Sequence, residues 1–229
     1  ARPPKLSSVN DTAFDALRSY ITDTTVIDNA LAAAQQDAEE FGLAAPDAAA
    51  GSLLSALAAS YIDEAGVGAI AVTPAAGVVG LYLLRGLGLT GTLTCIDPET
   101  EHQRQARTNF MAAGYKPNQF RFLPSRPLEV MSRLAADSYH VVYGDIRPSD
   151  YRAFIDAAWP LLRSGGILIL ANSLLDGTLS DTTRKDRDTI CAREADEYVR
   201  SMDQAVVCRL PLGSGLTLIT KKDDDSESE

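Results

Sequence analysis

Asp97 is the residue whose type and position in this sequence most directly suggest chemistry. It closes the apolar segment 92–96, which is predicted to be a strand, and it follows the tight turn at 74–77 by roughly 20 residues. In an open nucleotide-binding sheet, an acid at this position accepts hydrogen bonds from both ribose hydroxyls of an adenosine cofactor. The alternative is that Asp97 caps the next helix, with Pro98 at the first helical position. Both roles can coexist.

The segment before Asp97 supplies the elements that position it. Residues 69–73 are predicted as a first strand, and a helix is predicted from the turn to about Leu87. The turn keeps one glycine, Gly77, and contains Pro74, which lacks a backbone N–H. Nucleotide-binding turns are usually glycine-rich, because the ligand lies against the backbone. The pattern therefore indicates a cofactor fold with an altered site.

Downstream of Asp97 the predicted strands and helices alternate, which is typical of a parallel sheet with right-handed crossovers. The predicted helices are 99–113, 128–136, 149–162 and about 184–202, and the predicted strands are 120–123, 140–144 and 167–171. Gly165-Gly166 is predicted to end a helix and open the last of these strands. Segments 205–210 and 215–220 are separated by a hairpin-length connection and predict an antiparallel pair. The predicted fold is α/β, with five parallel strands, an antiparallel pair and extra helices before the sheet.

The length of 229 residues, 45% of them apolar, suits one domain. We predict a flexible leader at 1–10, one domain at 11–222 whose N-terminal helices occupy 11–60, and an acidic disordered tail at 223–229. Asn10 or Asp11 is expected to cap the first helix, which the pattern places from Ala13 onward. The tail carries five of the negative charges, so the net charge of −10 overstates the acidity of the fold.

Composition also excludes several functions. An acidic surface without a basic stripe argues against nucleic-acid binding, which depends on Lys and Arg at the phosphates. No apolar run reaches the roughly 18 to 20 residues that a membrane span needs. Cys95, Cys191 and Cys208 form no CxxC pair and are interpreted as reduced thiols of a cytoplasmic protein.

Several short segments carry a family resemblance. They are residues 77–87, Ile96-Asp97-Pro98-Glu99 with His102-Gln103-Arg104, Asp145 followed six residues later by Tyr151, residues 160–166, and Asn172. Together they resemble the small S-adenosylmethionine-dependent O-methyltransferases of the catechol and caffeoyl-CoA type, especially the actinobacterial branch. The resemblance spans about 47–220 and implies a three-layer, seven-stranded, Rossmann-like methyltransferase fold.

The resemblance implies S-adenosylmethionine as the cofactor. The family's first strand ends with an acid and a Gly-x-Gly turn near the methionine moiety, where this sequence has Ala71, Thr73, Pro74 and Ala75. Ser125 and Arg126 lie where the family contacts adenine. The implied cofactor-binding residues are Ala71, Thr73, Pro74, Gly77, Val79, Asp97, Pro98, Ser125 and Arg126.

The family commonly holds Mg²⁺ with an Asp after the fourth strand and an Asp-Asn pair after the fifth, and the ion clamps two vicinal oxygens of the acceptor. Asp145 and Asn172 occupy two of these positions, but Ala171 replaces the third ligand and Pro148 replaces the family's lysine. Because Mg²⁺ prefers several hard oxygen ligands, a divalent metal is not expected here. Asp145 is the candidate catalytic residue, and Asp145 with Asn172 forms the acceptor side. The alternatives are a turn cap for Asp145 and loop hydrogen bonding for Asn172.

Other candidates carry less chemistry. His102 and His140 are the only histidines, and neither belongs to a nucleophile pattern. Tyr151 and Trp159 are interpreted as packing residues. Asp176 and Arg184 lie in a region that borders the acceptor mouth in the family, although a charge run of this kind is usually a solvated helix start. These last two are therefore minor site candidates.

The leading hypothesis is an O-methyltransferase that acts on a small hydroxylated acceptor. Methyl transfer is an in-line reaction, in which the protein mainly orients the reactants and excludes water. The second hypothesis is a methyltransferase-like binding or assembly module that has lost catalysis. The last is an NAD-dependent oxidoreductase, which ranks lowest because this sequence lacks the Gly-x-Gly-x-x-Gly pattern of that class. A homodimer is expected, because the Ala-rich helices before Ala45 exceed what the sheet needs.

Overall fold

The computed structural model describes residues 7–61 and 64–223. The helices are α1 (Ser7–Thr24), α2 (Asn29–Glu40), α3 (Ala48–Ala59), α4 (Ala76–Leu87), α5 (Thr100–Ala112), α6 (Pro127–Met131), α7 (Tyr151–Ala158) and α8 (Arg187–Arg200). The strands are β1 (Gly68–Val72), β2 (Thr92–Ile96), β3 (Phe120–Leu123), β4 (Tyr139–Gly144), β5 (Leu162–Leu170), β6 (Ala205–Leu210) and β7 (Leu216–Lys221). Short 3₁₀ turns cover Pro148–Asp150, Trp159–Leu161 and Leu175–Ser180.

The strands form one seven-stranded sheet in the order β3-β2-β1-β4-β5-β7-β6. Strands β1 to β5 are parallel, and β7 runs antiparallel to both β5 and β6. Helices α2 to α5 pack on one face, and α6 to α8 pack on the other. The central strands are buried on both faces, as continuous apolar runs predict for a parallel sheet. The predicted fold class is confirmed.

Close packing of α3 on α4 places the N-terminal helices against the sheet layer. A Cβ atom at Gly51 would overlap the Tyr82 ring, and one at Gly86 would overlap the backbone at Ser55. Each helix therefore needs a glycine at this crossing. Asp47 caps α3 by accepting the Ala50 N–H at 2.9 Å, which fixes the loop before α3 at the edge of the site.

The structure corrects several predicted boundaries. Strand β5 starts at Leu162, so Gly165-Gly166 lies inside the strand and does not precede it. The register with β4 shifts between Tyr139 and Val141, and Gly165 takes a φ of +76° at this irregularity. Helix α7 is accordingly shorter than predicted.

The N-terminal boundary also differs from the prediction. Helix α1 begins at Ser7, so Asn10 and Asp11 lie within it and do not cap it. The rest of the predicted leader, and the predicted acidic tail beyond Asp223, lie outside the described residues. Within the described residues, no helix is long and apolar enough to cross a membrane.

Candidate active site at the carboxyl edge of the sheet

Parallel pairing brings the candidate residues to one edge of the sheet. Val72, at the end of β1, pairs with Gly144 of β4 and Ile96 of β2. The Asp145 N–H donates to the Val72 carbonyl at 2.9 Å, and the Ala171 N–H donates to the Gly144 carbonyl at 2.9 Å. The residues that follow β1, β2, β4 and β5 therefore share the carboxyl edge, where ligands bind in open α/β sheets.

A cavity of about 190 Å³ opens between this edge, the loop before α3 and the β6–β7 connection. We call it the acceptor cavity. Its walls are mostly apolar and include Leu54, Leu212 and Leu216. Its polar lining comes from Tyr143, Asp145 and Asn172, with Arg18 and Asp47 also present. Arg18 reaches Asp47 at 3.3 Å, and both side chains are partly exposed. An apolar pocket with a few convergent polar groups is the usual form of a small-molecule site.

Asn172 is fixed in the acceptor cavity by partners on three sides. Its side-chain amide donates to Asp145 Oδ1 at 3.3 Å, and its Oδ1 accepts the Ser214 N–H at 3.3 Å. The Tyr151 hydroxyl donates to its backbone carbonyl at 3.1 Å, and the residue adopts a φ of +54°. The two orientations of the amide are therefore not equivalent, because the backbone N–H of Ser214 can only donate and needs the amide oxygen opposite it. The alternative of loop hydrogen bonding agrees with these contacts.

Burial shifts the pKa values of two side chains in the acceptor cavity. It raises the pKa of Asp145 above its ordinary value, and the hydrogen bond from Asn172 offsets part of that rise. It also raises the pKa of the Tyr143 phenol, and the negative charge of Asp145 adds to this effect. Tyr143 therefore remains a neutral hydroxyl near a carboxylate whose charged form is disfavoured.

Asp97 is buried at the end of β2, and its carboxylate already has internal partners. Oδ2 lies 2.7 Å from His102 Nδ1, and Oδ1 accepts the Glu99 N–H at 3.3 Å. The His102 ring packs edge-on against Phe41, with ring centroids 5.2 Å apart. Gln103 donates to the backbone carbonyl of Asp97 at 2.9 Å. Glu99 and His102, which follow β2 in the sequence, therefore hold this carboxylate in one orientation.

The structural alternative for Asp97 needs correction in its details. Helix α5 begins at Thr100 with Glu99 as the preceding cap residue, so Pro98 is not the first helical position. Asp97 bonds the Glu99 N–H, which closes a local turn before the helix. The carboxylate thus takes part in a turn and in a histidine pair at the same time.

The turn after β1 pairs one of its backbone N–H groups with one of its own side chains. The Ala75 N–H donates to Thr73 Oγ1 at 3.1 Å, and Thr73 is almost fully buried. Pro74 contributes no N–H. The helix side of the turn meets α2 across a crevice of only about 20 Å³, lined in part by Gly77 and His102. A space of this size holds about one water molecule, so the crevice is narrow in this structure.

The remaining cofactor candidates divide into core residues and surface residues. Ala71 in β1 and Val79 in α4 are buried in the hydrophobic core. A Cβ atom at Gly77 would lie against Asn109 and Ala34, so this glycine allows α4 to approach α5 and α2.

The other candidates surround an open hollow of about 610 Å³, which we call the adenine-side hollow. Pro98 and Arg126 line it together with Pro127, Ile146 and Arg147. Ser125 precedes Arg126 and donates its backbone N–H to Leu123 at 2.9 Å. The structure therefore brings Pro98, next to Asp97, and the segment after β3 to one surface.

Other residues of the sequence lie outside these cavities. His140 is buried at the opposite edge of the sheet, where it accepts the Gly68 N–H at 3.2 Å and contacts Glu64 and Arg163. Arg184 pairs with Asp186, and Asp176 lies in a 3₁₀ turn at a φ of +55°. Neither Asp176, Arg184 nor Trp159 lines the acceptor cavity.

Three contributors to the site escaped prediction. Tyr143 lines the acceptor cavity from within β4, Arg18 reaches it from α1, and His102 holds Asp97. Tyr143 could have been noticed as a polar ring two residues before Asp145, directly after the apolar pair Val141 and Val142. Arg18 gives no local signal, because only the packing of α1 against α3 brings it to the cavity.

The arrangement does not fit a divalent ion. Among residues 7–61 and 64–223 there is no cluster of three or more His, Cys, Asp or Glu side chains suited to a metal. The amide oxygen of Asn172, the atom that would ligate an ion, is bonded to Ser214, while its nitrogen faces Asp145. Of the three positions at which the family holds an ion, only Asp145 carries a charged side chain here.

Residues 69–222 match the O-methyltransferase family. A protein of Mycolicibacterium vanbaalenii that bears the name of an O-methyltransferase is 38% identical over 193 residues, which cover 82% of each chain. A protein of the same name from Mycobacterium sp. strain JLS is 35% identical and covers 90% of this chain and 93% of its own.

Solved structures share the fold. A protein from Corynebacterium glutamicum has a TM-score of 0.90 and 60% identity, covering 93% of this chain and 98% of its own. The O-methyltransferase TomG from Streptomyces achromogenes, solved with S-adenosylmethionine, has a TM-score of 0.82 at 22% identity, covering 94% of this chain and all of its own. The family match and the curated relatives confirm the predicted resemblance, and the chain belongs to the O-methyltransferase family.

Proposed function

We propose that this protein is an S-adenosylmethionine-dependent O-methyltransferase that acts on a small hydroxylated acceptor. The observation that carries the proposal is the acceptor cavity, where Asp145 lies at the same sheet edge as the strand-end carboxylate Asp97. When bound, the cofactor supplies an activated methyl group. The protein then needs to orient the acceptor hydroxyl, exclude water and receive one proton.

The described residues fit the adenosyl half of the cofactor. Each oxygen of Asp97 has lone pairs beyond those that His102 and Glu99 use, so ribose hydroxyls can donate to it. Pro98 and Ile146 give the adenine-side hollow an apolar surface for a base, and Arg126 and Arg147 add polar groups.

The turn after β1 offers fewer donors to the methionine half. Thr73 holds the Ala75 N–H, and Pro74 has none. Cofactor binding therefore either proceeds without these donors or exchanges the Thr73 bond for one to the ligand. We expect a weaker cofactor affinity than a glycine-rich turn would give.

Calorimetric titration with S-adenosylhomocysteine and, in parallel, NAD tests the proposal. Binding of S-adenosylhomocysteine without binding of NAD is the expected result, and a methyl-transfer screen of small phenols then identifies the acceptor. Failure of S-adenosylhomocysteine to bind at millimolar concentration contradicts the proposal.

A second candidate is a non-catalytic binding or assembly module. The specific observation in its favour is that the turn is closed by its own side chain, because Thr73 Oγ1 occupies the Ala75 N–H. Absence of cofactor binding, together with a stable complex with another protein, would support this candidate.

We further propose a cytoplasmic homodimer in which residues 11–222 form one domain. Support for the dimer comes from α1, where Phe14, Leu17 and Tyr20 are exposed by 40%, 55% and 66%. Their spacing places them near one side of the helix. The free thiols of Cys95, Cys191 and Cys208 support a reducing compartment. Sedimentation of a 24.5 kDa monomer at micromolar concentration would contradict the dimer.

A further inference from the structure

The Asn172 side chain directs its amide oxygen at Ser214 and not at the space beside Asp145. Its amide nitrogen donates to Asp145, and its amide oxygen accepts from Ser214, 42 residues later in the sequence. Turning the oxygen toward Asp145 would break both bonds and bring two acceptors together. The acceptor cavity therefore needs another means of holding an acceptor oxygen.

Two polar atoms of the cavity remain available for that task. Asp145 Oδ2 has no hydrogen-bond partner among the described residues, since Asn172 bonds only Oδ1. Tyr143 is only 3% exposed, yet its hydroxyl also has no partner in the described part of the chain. Neither atom is fully buried, because among the described residues only the Tyr82 hydroxyl is both fully buried and without a partner. Both atoms therefore face the cavity, where a ligand that pairs with them replaces water.

The two atoms complement a single hydroxyl group. A hydroxyl can donate to Asp145 Oδ2 and at the same time accept from the Tyr143 hydroxyl. The apolar walls, including Leu54 and Leu216, suit a ring. The cavity volume of about 190 Å³ exceeds the roughly 150 Å³ that accommodates benzene in an engineered protein.

We propose that the acceptor cavity binds the reacting hydroxyl of a single-ring phenol directly between Asp145 and Tyr143, without a metal ion and without need of a second, vicinal hydroxyl. This inference rests on the proposed function and names the acceptor class. Asp145 Oδ2 takes the proton: the acceptor O–H bond breaks, a new O–H bond forms on Oδ2, and the electron pair stays on the acceptor oxygen. Tyr143 keeps its hydrogen bond to that oxygen.

A matched pair of ligands tests the absence of a vicinal requirement. 4-Methylphenol and 4-methylcatechol differ by one hydroxyl, and their binding is measured by ligand-observed NMR in EDTA and in Mg²⁺, with and without saturating S-adenosylhomocysteine. We expect dissociation constants within about threefold of each other and unchanged by Mg²⁺. Binding of the catechol alone, binding that requires Mg²⁺, or no binding of either ligand overturns the inference.

Tyr143→Phe tests the assigned contact. It should weaken 4-methylphenol binding about three- to tenfold, the worth of one hydrogen bond, and should leave the melting temperature nearly unchanged, because the removed hydroxyl has no partner among the described residues. Tyr82→Phe is the control, since it removes the same hydroxyl, again without a partner among the described residues, from a tyrosine outside the acceptor cavity. It should leave phenol binding unchanged.

Wild-type affinity for 4-methylphenol in Tyr143→Phe overturns the inference, as does an equal loss in Tyr82→Phe. The titration with S-adenosylhomocysteine is read separately. If that ligand fails to bind while the phenol results hold, the proposed function fails and the phenol site stands. If that ligand binds and the phenol results fail, only the present inference is lost.

Discussion

The acceptor cavity and the turn after β1 lie at the same edge of the sheet but treat their polar groups in opposite ways. In the cavity, Asp145 Oδ2 and the Tyr143 hydroxyl have no partner among the described residues. At the cofactor end, the Ala75 N–H is bonded to Thr73 and the Asp97 carboxylate to His102. The cavity leaves two polar atoms for a ligand, whereas the turn has used its Ala75 N–H internally and Asp97 retains only the lone pairs that His102 and Glu99 do not use.

This difference has an energetic meaning. A ligand in the acceptor cavity forms hydrogen bonds with groups that have no partner among the described residues, and it replaces only water there. A ligand at the turn must exchange an existing bond, so the net gain is smaller. Mutations in the acceptor cavity and mutations in the turn after β1 should therefore differ in how much they change ligand binding relative to the stability of the fold.

The largest expected effect is on Asp97. Asp97→Ala should weaken S-adenosylhomocysteine binding by about 1.5 to 3 kcal/mol, because hydrogen bonds to a charged group are lost. Calorimetry measures the change, and Glu99→Ala is the control because its backbone N–H, the group that bonds Asp97, remains. An unchanged dissociation constant in Asp97→Ala would remove this residue from the site.

A smaller gain is expected from opening the turn. The double variant Thr73→Gly and Ala75→Gly releases the bonded N–H and removes two Cβ atoms, so it should tighten S-adenosylhomocysteine binding by up to about tenfold. Thr73→Ser keeps the bonding oxygen and should bind as the wild type does. If the double variant folds and binds no better, the turn does not limit affinity.

The partly buried carboxyl of Asp145 predicts a pH-dependent stability effect. Because its pKa is raised in the folded state, ionisation penalises the fold as pH rises through that value, and no penalty remains below the ordinary pKa of an aspartate. Asp145→Asn should therefore raise the melting temperature by a few degrees at pH 7 and by less near pH 4. Thermal unfolding measures this, with the exposed Asp203→Asn as control. A melting temperature that falls at neutral pH contradicts the assigned burial effect.

No effect at all is expected when metal is removed from the wild type. Methyl transfer found in a substrate screen should persist in excess EDTA. The Asn172 amide oxygen is bonded to Ser214 and directed away from Asp145, and Ala171 has no side-chain atom that could bind a metal ion. Ala171→Asp should raise Mg²⁺ affinity measurably in calorimetry. Activity that EDTA abolishes and Mg²⁺ restores in the unmodified protein would return the chain to the metal-dependent branch of the family.

Much of the fold could be predicted because its signals are local. Continuous apolar runs at 69–72 and 167–170 predict buried parallel strands, and the hairpin-length connection after Leu210 predicts the antiparallel pair. The boundary error at β5 arose because Gly165-Gly166 is a usual break signal, whereas here it accommodates a register shift within the strand. A glycine pair has the same sequence in both settings.

The candidate site could be predicted in part. The position of Asp97 at a strand end and of Asp145 after β4 follows from the order of elements. The roles of Ala71 and Val79 as core residues, and of Gly77 as a helix contact, depend on which neighbour each Cβ direction meets. Sequence position near a motif does not reveal that direction.

The sequence by itself determined the element order, the strand-end acids and the loss of a ligand at Ala171, because these depend on residue type and local pattern. Only the tertiary structure decided which polar atoms are already bonded. Ser214 orients Asn172 across 42 residues, and the packing of α1 brings Arg18 to the acceptor cavity. Hydrogen bonds require distances and angles within narrow limits, and these are set only when distant segments pack together.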